Sequence, residues 1–279
     1  MCSILKYKTC MGRNYDYEQS FDEEIRVIEK GQFNNSYKVI GVCTGFVKDY
    51  PLLYDGMNDQ GLCCGALAFT GNAVYNPIKE GMNNIPSYDF VFRVLASFKT
   101  VDDLKKELDI VNITDESYSD QMPSSDLHWF ACDEHDSIII EQTKDGLNWY
   151  DGEVMTNNPP YPKQLKAESA ARDSMGNCPP LSQEYDTRGT ETFGLLGDYT
   201  SEGRFARLTY LKNKMESSDN PFDDEVSAKH LLRSIEQVYG ATPVEQKYEY
   251  TIYSVVYNME NLTMQIEYYD KNHPINGEL

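Results

Sequence analysis

Short runs of apolar and β-branched residues recur along the first quarter of the chain. Three segments show this pattern, each bounded by Gly, Asn or Asp: "EIRVIEK", "YKVIGVCTGF" and "GLCCGALAF". Runs of this length predict β-strands. Residues 58–61, "NDQG", predict a tight turn before the third strand, because Asn, Asp and Gly accept turn conformations.

Four later segments have the spacing of helices: "SYDFVFRVLASF", "TVDDLKKELDIV", "SEGRFARLTYLKNKM" and "SAKHLLRSIEQVYG". The first repeats apolar residues at three- and four-residue spacing. The second begins with Thr followed by acidic residues, which is typical of a capped helix start. We expect these first two helices to pack on one face of a sheet.

Strand patterns return in the middle and at the end of the chain. The runs "LHWFAC", "SIIIEQT" and "GLNWYD" are separated by short polar turns and predict an antiparallel meander. The segment "YEYTIYSVVYNMENLTMQIEYYD" predicts two strands around a turn at residues 258–261. Residues 159–195 are polar and contain Pro, Gly and Ser, which predicts a long irregular excursion, a feature commonly used for function or assembly.

Runs of strands separated by runs of helices favour an α+β fold of antiparallel sheets covered by helices over repeated β-α-β units. The sequence contains no clear linker, repeat or low-complexity tract. We therefore predict one domain over residues 2–279.

Composition narrows the class of protein further. Hydrophobic residues make up 40% and charged residues 25% of the chain, the balance of a folded globular protein. No run approaches the roughly 18 apolar residues of a membrane span, and no secretory leader pattern is present, so we expect a cytoplasmic protein without membrane partners. With 25 basic and 45 acidic residues the formal net charge is -20, which argues against nucleic acid as a partner.

Cysteine and histidine spacing gives no sign of a disulfide framework or a metal site. The seven cysteines are scattered without a CxxC pair, and the four histidines show no HExxH spacing. We expect reduced thiols and no protein-bound metal.

Cys2 is the first candidate for chemistry, because removal of Met1 would make it the N-terminal residue. A cysteine attacks as the thiolate and needs a base, and a free α-amino group titrating at about 7.7 to 8.0 can accept the thiol proton. The alternative is a buried structural cysteine at the start of a strand. A strand from Cys2, a turn near residues 8–10 and a return strand would bring Arg13 and Asp16 beside the N-terminus, where Arg13 would favour the thiolate and Asp16 would orient the amine. Surface Arg and Asp at this spacing are also common in hairpins.

Two later segments carry residues that amide hydrolysis could use. In "VMTNNPP", Asn157 and Asn158 end a predicted strand at a proline turn, where an Asn side-chain NH2 could face an oxyanion, although an ordinary turn residue fits as well. In "GDYTSEGRFAR", Thr200 is a candidate N-cap, and Arg204 lies in the first turns of a helix as a second cation for the site or as a surface residue.

Four segments in this order resemble the choloylglycine hydrolase family of bile salt hydrolases and penicillin V acylases: "MCSI" with "GRNYDYEQSF", "YPLLYDGMNDQGL", "DLHWFACD" through "VMTNNP", and "GLLGDYTSEGRFAR". These are N-terminal nucleophile hydrolases, and the resemblance covers nearly the whole chain. It implies an αββα four-layer sandwich and hydrolysis of a linear amide through an acyl-thioester, with no cofactor. It further implies that Cys2 is the nucleophile with its α-amine as base, that Arg13 and Asp16 are the paired charges beside it, that Asn157 is the oxyanion donor, and that Arg204 is the distal arginine.

Departures from the family pattern concern the substrate more than the chemistry. Ala68 stands where the family has a polar residue, so a side-chain contact to substrate is lost, while its backbone N–H can still complete the oxyanion hole. Tyr15 stands where bile salt hydrolases often have Met, and Gly203 replaces Ser before Arg204. The first hairpin is also shorter than usual.

The resemblance leaves several substrates open, all small-molecule N-acyl compounds. Glycine- or taurine-conjugated bile salts are favoured over penicillin V, and N-acyl amino acids or acyl-homoserine lactones remain alternatives. Two other readings are a ligand-binding homologue that has lost turnover and an acyl transferase to small amines. Family members are often tetramers, so the resemblance is compatible with a homotetramer. Subunit contacts would be expected in the excursion at residues 159–195, but its polar composition does not indicate an oligomeric state.

Overall fold

Two antiparallel sheets of seven strands each make up most of the protein in a computed structural model that describes residues 1–173, 175, 188, 189 and 192–279. The first sheet is built from β1 (Cys2–Tyr7), β2 (Cys10–Tyr17), β12 (Val154–Thr156), β13 (Thr242–Val244), β14 (Lys247–Asn258), β15 (Thr263–Tyr268) and β16 (Ile275–Glu278). Its strand order is β12-β1-β2-β14-β15-β16, with β13 paired to β14.

The second sheet is built from β3 (Glu24–Ile28), β4 (Val39–Cys43), β5 (Leu53–Asn58), β6 (Cys63–Ala68), β9 (Leu127–Cys132), β10 (Ser137–Thr143) and β11 (Gly146–Asp151). Its order is β11-β10-β9-β6-β5-β4-β3. The predicted tight turn at residues 58–61 and the predicted meander of β9, β10 and β11 are confirmed. A separate parallel pair, β7 (Asn83–Pro86) with β8 (Val111–Thr114), was not predicted.

Helices cover the outer faces of both sheets. They are α1 (Phe90–Ser97), α2 (Val101–Glu107), α3 (Tyr161–Asp173), α4 (Ser201–Ser217) and α5 (Asp224–Arg233), with short 3-10 turns at Ser87–Asp89 and Leu108–Ile110. Helix α1 lies on β5 and β6, whereas α4 and α5 lie on the first sheet. Asn58 ties α1 to the β5–β6 turn, because its Nδ2 donates to the carbonyls of Leu95 at 2.9 Å and Phe98 at 2.8 Å.

The two sheets face each other across one apolar core. Ile4 and Val255 of the first sheet and Leu67 and Phe130 of the second are all buried in it. Gly65 lies where β6 meets β1, and a Cβ there would come within 2.8 Å of the Ile4 side chain. A side chain at this position would force the Ile4 side chain to move, so glycine suits the close packing of the two sheets here.

Helix α3 corrects the prediction of an irregular excursion over residues 159–195. Its buried positions are Tyr161, Gln164 and Glu168, which lie at helical spacing but are mostly polar, so no apolar periodicity marked them. Gln164 is held instead by hydrogen bonds, since its Nε2 donates to the carbonyls of Asn157 and Pro159 at 2.7 Å each. Residues 174, 176–187, 190 and 191 of the predicted excursion lie outside the described residues.

Across the ranges that the structure describes, no helix combines the length and apolar character needed to cross a membrane.

Candidate active site

The β1–β2 hairpin brings Arg13 to the thiol of Cys2. The hairpin turns at Lys8, whose φ of 49° is left-handed, and pairs Cys2 with Tyr15 and Ile4 with Arg13. Arg13 Nη2 lies 3.8 Å from Cys2 Sγ and donates to the carbonyl of Ala66 at 2.8 Å. Both Cys2 and Arg13 are buried. The predicted approach of a cation to the thiol is therefore present.

Asp55 of β5 is the counter-ion of Arg13 and was not singled out from the sequence. Arg13 Nη1 donates to Asp55 Oδ2 and, at 3.1 Å, to the hydroxyl of Tyr253. Burial by itself lowers the pKa of Arg13, but Tyr253 and Asp55 reverse this effect and hold the pKa well above its ordinary value. The signal that could have found Asp55 is a carboxylate inside the otherwise buried strand "LLYDGMN".

Asp16 lies beside Cys2 with its carboxylate turned toward other groups. Its oxygens accept from Thr251 Oγ1 at 2.6 Å and from Gln237 Nε2 at 2.9 Å, and Arg204 Nη1 is 3.7 Å away. Its backbone carbonyl, 4.0 Å from Cys2 Sγ, accepts from the Met1 ammonium at 2.7 Å. The Asp16 carboxylate, expected to orient the Cys2 amine, binds other side chains instead, and while Met1 is in place the Asp16 backbone carbonyl binds the Met1 ammonium.

Met1 is held in place next to Cys2 by polar contacts on both its ammonium and its carbonyl. Its ammonium forms an ion pair with buried Glu249, and its carbonyl accepts from the backbone N–H of Asp16 at 2.9 Å. Burial lowers the pKa of this ammonium from its ordinary value. The nitrogen of Cys2 is an amide in this form, and it donates to Asn157 Oδ1 at 2.6 Å. An amide is not a base, so the α-amine needed for proton transfer exists only once Met1 is gone.

Asn157 and Ala68 face each other next to Cys2. Asn157 follows β12, and its Nδ2 donates to the carbonyl of Ala68 at 2.8 Å, which leaves one N–H of that amide for another acceptor. The backbone N–H of Phe69 donates to Asp126, so Ala68, the preceding residue of β6, points its own N–H and carbonyl away from β9 and toward the side of Asn157. The second N–H of the Asn157 amide and the backbone N–H of Ala68 therefore lie on the same side of β6.

Arg204 joins the site from helix α4. The helix begins after Thr200, whose Oγ1 accepts from the N–H of Gly203 at 3.0 Å, as expected for an N-cap. Arg204 is fully buried and donates to the Cys2 carbonyl at 2.5 Å, to Asn157 Oδ1 at 2.9 Å and to the Ser3 hydroxyl. Burial lowers the pKa of Arg204, against the opposing effect of Asp16. Arg204 is therefore no surface residue.

Tyr15, which the departures from the family pattern place in or near the pocket, lies beside Cys2 but is mostly covered. Its ring stacks on Tyr253 at a centroid distance of 5.1 Å, lies 5.0 Å from the ring of Tyr54, and has the Arg13 guanidinium 5.1 Å from its centre. Ala68, by contrast, is exposed.

The predicted residues Arg13, Asp16, Asn157 and Arg204 thus come together around Cys2. The six cysteines that the structure describes are all free and buried. Within the described ranges, no group of three or more His, Cys, Asp or Glu residues is arranged to hold a metal ion.

Comparison with known proteins identifies the family. The model of the linear amide C–N hydrolases of the choloylglycine hydrolase family matches residues 2–277. A bile salt hydrolase/transferase of Lactiplantibacillus plantarum is 34% identical over 293 residues, covering 98% of this chain and 90% of that protein. One of Clostridium perfringens is 33% identical over 298 residues, with the same two coverages.

Solved structures agree with the sequence comparison. The C2A mutant conjugated bile acid hydrolase from Clostridium perfringens superposes with a TM-score of 0.92 at 31% identity, covering 100% of this chain and 92% of the other. A penicillin V acylase from Agrobacterium tumefaciens gives a TM-score of 0.78 at 19% identity, covering 100% and 86%, which is a likeness of fold alone.

The protein has the fold of an N-terminal nucleophile hydrolase, with two facing antiparallel sheets, helices outside them, and a cysteine at the start of an inner strand. The chain belongs to the choloylglycine hydrolase family of linear amide C–N hydrolases. The predicted family, sandwich fold and enzyme class are confirmed.

Proposed function

We propose that the protein deconjugates glycine- and taurine-linked bile salts by hydrolysis of their amide bond. The observation that carries this proposal is the convergence on Cys2 of Arg13, which lies beside the thiol, and of Asn157 and Arg204, which bind the Cys2 backbone. The chain is also about one-third identical to bile salt hydrolases along nearly its whole length.

The first half-reaction forms an acyl-thioester on Cys2. The thiol gives its proton to the Cys2 α-amine, and Sγ attacks the amide carbonyl carbon, while Arg13 favours the thiolate. The carbonyl oxygen becomes negatively charged and accepts hydrogen bonds from Asn157 Nδ2 and the Ala68 N–H. The carbon–nitrogen bond then breaks, and the α-ammonium returns its proton to the departing glycine or taurine nitrogen.

The second half-reaction releases the acid. Water attacks the thioester carbonyl, gives a proton to the α-amine, and the Cys2 sulfur leaves to regain that proton. Arg204 holds Asn157 Oδ1 and the Cys2 carbonyl in place throughout, so it supports the geometry of both half-reactions.

This mechanism requires that Met1 be removed. Intact-mass spectrometry of active protein should give the mass of the chain that begins at Cys2. Full activity in a preparation that retains Met1 would rule out the α-amine as base.

The substrate is tested with a panel of glycocholate, taurocholate, penicillin V and an N-acyl-homoserine lactone, with released amine and acid measured by mass spectrometry. We expect the two bile salts to be cleaved fastest, and Cys2→Ala to abolish cleavage. Faster release of phenoxyacetate from penicillin V would move the substrate to that branch of the family. Binding of a bile salt without cleavage by Met1-free protein would favour a homologue that has lost turnover.

Acyl transfer is a second candidate activity, because two relatives carry the name hydrolase/transferase and the same thioester serves both reactions. An amine that attacks the thioester in place of water forms a new amide and loses its proton to the α-amine. Incubation of glycocholate with an added amino acid should then yield the new conjugate in wild type and none in Cys2→Ala.

A further inference from the structure

Asp55 is a fully buried carboxylate in the middle of the core between the two sheets. It accepts hydrogen bonds from three side chains, which are Arg13 Nη1 and the hydroxyls of Tyr253, at 2.6 Å, and Tyr257, at 2.5 Å. Arg13 and Tyr253 bind Oδ2 and Tyr257 binds Oδ1. Both oxygens are therefore held, and the carboxylate has a single orientation.

That orientation determines which way Arg13 faces. Asp55 and the Tyr253 hydroxyl hold Nη1, and the Ala66 carbonyl holds Nη2, which leaves Nη2 beside Cys2 Sγ at 3.8 Å. The guanidinium also lies 5.8 Å from the centre of the Tyr253 ring. An arginine free to rotate would lose this geometry, whereas one whose Nη1 and Nη2 are bound by the Asp55 carboxylate and the Ala66 carbonyl keeps it.

We propose that Asp55 is a positioning residue for the nucleophile, acting through Arg13, and that the Tyr253 hydroxyl is part of the same device. Asp55 holds the buried Arg13 guanidinium so that Nη2 stays beside the thiol. The proposal deepens the proposed function and rests on Cys2 being its nucleophile.

The alternative is that Asp55 and Arg13 form a buried ion pair of purely structural importance. Removing one partner of such a pair destabilises a protein strongly, because the other charge is left uncompensated. Stability alone therefore does not separate the two explanations. A double-mutant cycle does, because it asks whether the effect of Asp55 on the thiol requires Arg13.

The experiment measures the alkylation rate of Cys2 by iodoacetamide, followed by peptide mass spectrometry, in Asp55→Asn, Arg13→Gln and the double variant. We expect Asp55→Asn to slow alkylation by about tenfold in the wild-type background and to change it less than twofold in the Arg13→Gln background. An equal slowing in both backgrounds, or none in the wild-type background, would overturn the proposal.

Thermal unfolding of the same proteins gives a second test, because the change in Tm caused by Asp55→Asn should have opposite signs in the two backgrounds. Asp55→Asn should lower Tm in the wild-type background but raise it in the Arg13→Gln background, where it removes an unpaired buried carboxylate. A variant that gains stability while its alkylation rate stays unchanged separates positioning from folding.

Conservative tyrosine variants keep the test decisive if Asp55→Asn fails to fold. Tyr253→Phe removes a hydroxyl that contacts both Arg13 and Asp55, whereas Tyr257→Phe removes one that contacts Asp55 alone. We expect the first to slow alkylation more than the second. Tyr7→Phe is the matched control, because Tyr7 is equally buried and its hydroxyl binds Asn220 instead. Equal rates in all three would contradict the proposal.

The alkylation assay uses no substrate, so it is independent of bile salt turnover. A protein that cleaves no bile salt but shows the expected cycle would refute the proposed function and support the role of Asp55. In an active protein, Asp55→Asn should lower kcat by a similar factor and leave KM within about twofold.

Discussion

Two buried arginines flank Cys2, and they are held in different ways. Arg13 lies between the sheets against the carboxylate of Asp55. Arg204 comes from a helix outside the first sheet and gives its donors to neutral oxygens of Cys2, Ser3 and Asn157, with the Asp16 carboxylate 3.7 Å away. Burial lowers the pKa of Arg204, whereas partners raise that of Arg13.

The difference separates two tasks in one site. Arg13 has a counter-ion in direct contact and lies next to the sulfur, so we propose that it supports the thiolate. Arg204 binds Asn157 Oδ1 and the Cys2 carbonyl, so we propose that it fixes the geometry of the proposed oxyanion donor. A single site can therefore contain two cations of the same type whose substitution should have different consequences.

The largest effect is expected on the Arg204 side, from Asn157→Ala. This change removes the side-chain oxyanion donor and should lower kcat by about 100- to 1,000-fold, as loss of such donors does elsewhere. Steady-state kinetics on the best bile salt measures it. Asn158→Ala is the matched control, because Asn158 contacts Thr70 and Asn72 and not Cys2. A similar loss in both variants would contradict the role of Asn157.

Arg204→Lys tests whether geometry or charge matters at the second cation. Lysine keeps the charge but cannot reach three separated oxygens from a planar group, so we expect kcat to fall by about tenfold or more. Arg207 lies one turn further along α4 and donates to the carbonyl of Leu196. The matched control Arg207→Lys should therefore keep kcat within about twofold of wild type. Wild-type rates in Arg204→Lys would show that charge alone is sufficient.

Acid should lower the free energy of unfolding through His128. This histidine is fully buried, 3.3 Å from Glu141, whose Oε1 also accepts from the N–H of Tyr161 close to Asn157. Burial lowers the pKa of His128, despite the opposing effect of Glu141. The unfolded chain therefore binds a proton more readily than the folded one, so this contribution to stability is complete above the unfolded pKa of about 6.5 and is lost as the pH falls below it.

The measurement is Tm as a function of pH between 7.5 and 5 for wild type, His128→Gln and the exposed control His273→Gln. We expect the decline with acid to be steepest in wild type and the control and shallower in His128→Gln. Parallel curves for all three proteins would exclude His128 as the source.

The smallest effect is expected at the start of α4, which carries Arg204. Thr200→Ala removes the N-cap hydroxyl and should cost about 0.5 to 2 kcal/mol of stability. Thr200→Ser keeps a capping oxygen and should remain near wild type in thermal unfolding. If Thr200→Ala also slows turnover while Thr200→Ser does not, the cap helps to place Arg204.

Much of this arrangement could be predicted from local pattern. The length of the first hairpin was enough to bring Arg13 back to Cys2, because side chains alternate along paired strands. Helix α3 could not be predicted, since polar side chains with hydrogen-bonded partners fill its buried positions. Asp55 could not be predicted either, because the register of two facing sheets decides which buried strand carboxylate meets which cation. The same holds for Asp16, whose carboxylate partners come from distant parts of the chain.

The hold on Met1 makes maturation a question of timing. An aminopeptidase must bind the first residue of its substrate. In the folded chain, however, the Met1 ammonium is bound by Glu249 and Asp16, and the Met1 carbonyl accepts from the Asp16 N–H. If Cys2 is the nucleophile, we therefore expect trimming to be easier on the emerging polypeptide than after β2 and β14 have paired beside its N-terminus. Specific activity should then rise in proportion to the fraction of molecules that intact-mass spectrometry shows to begin at Cys2.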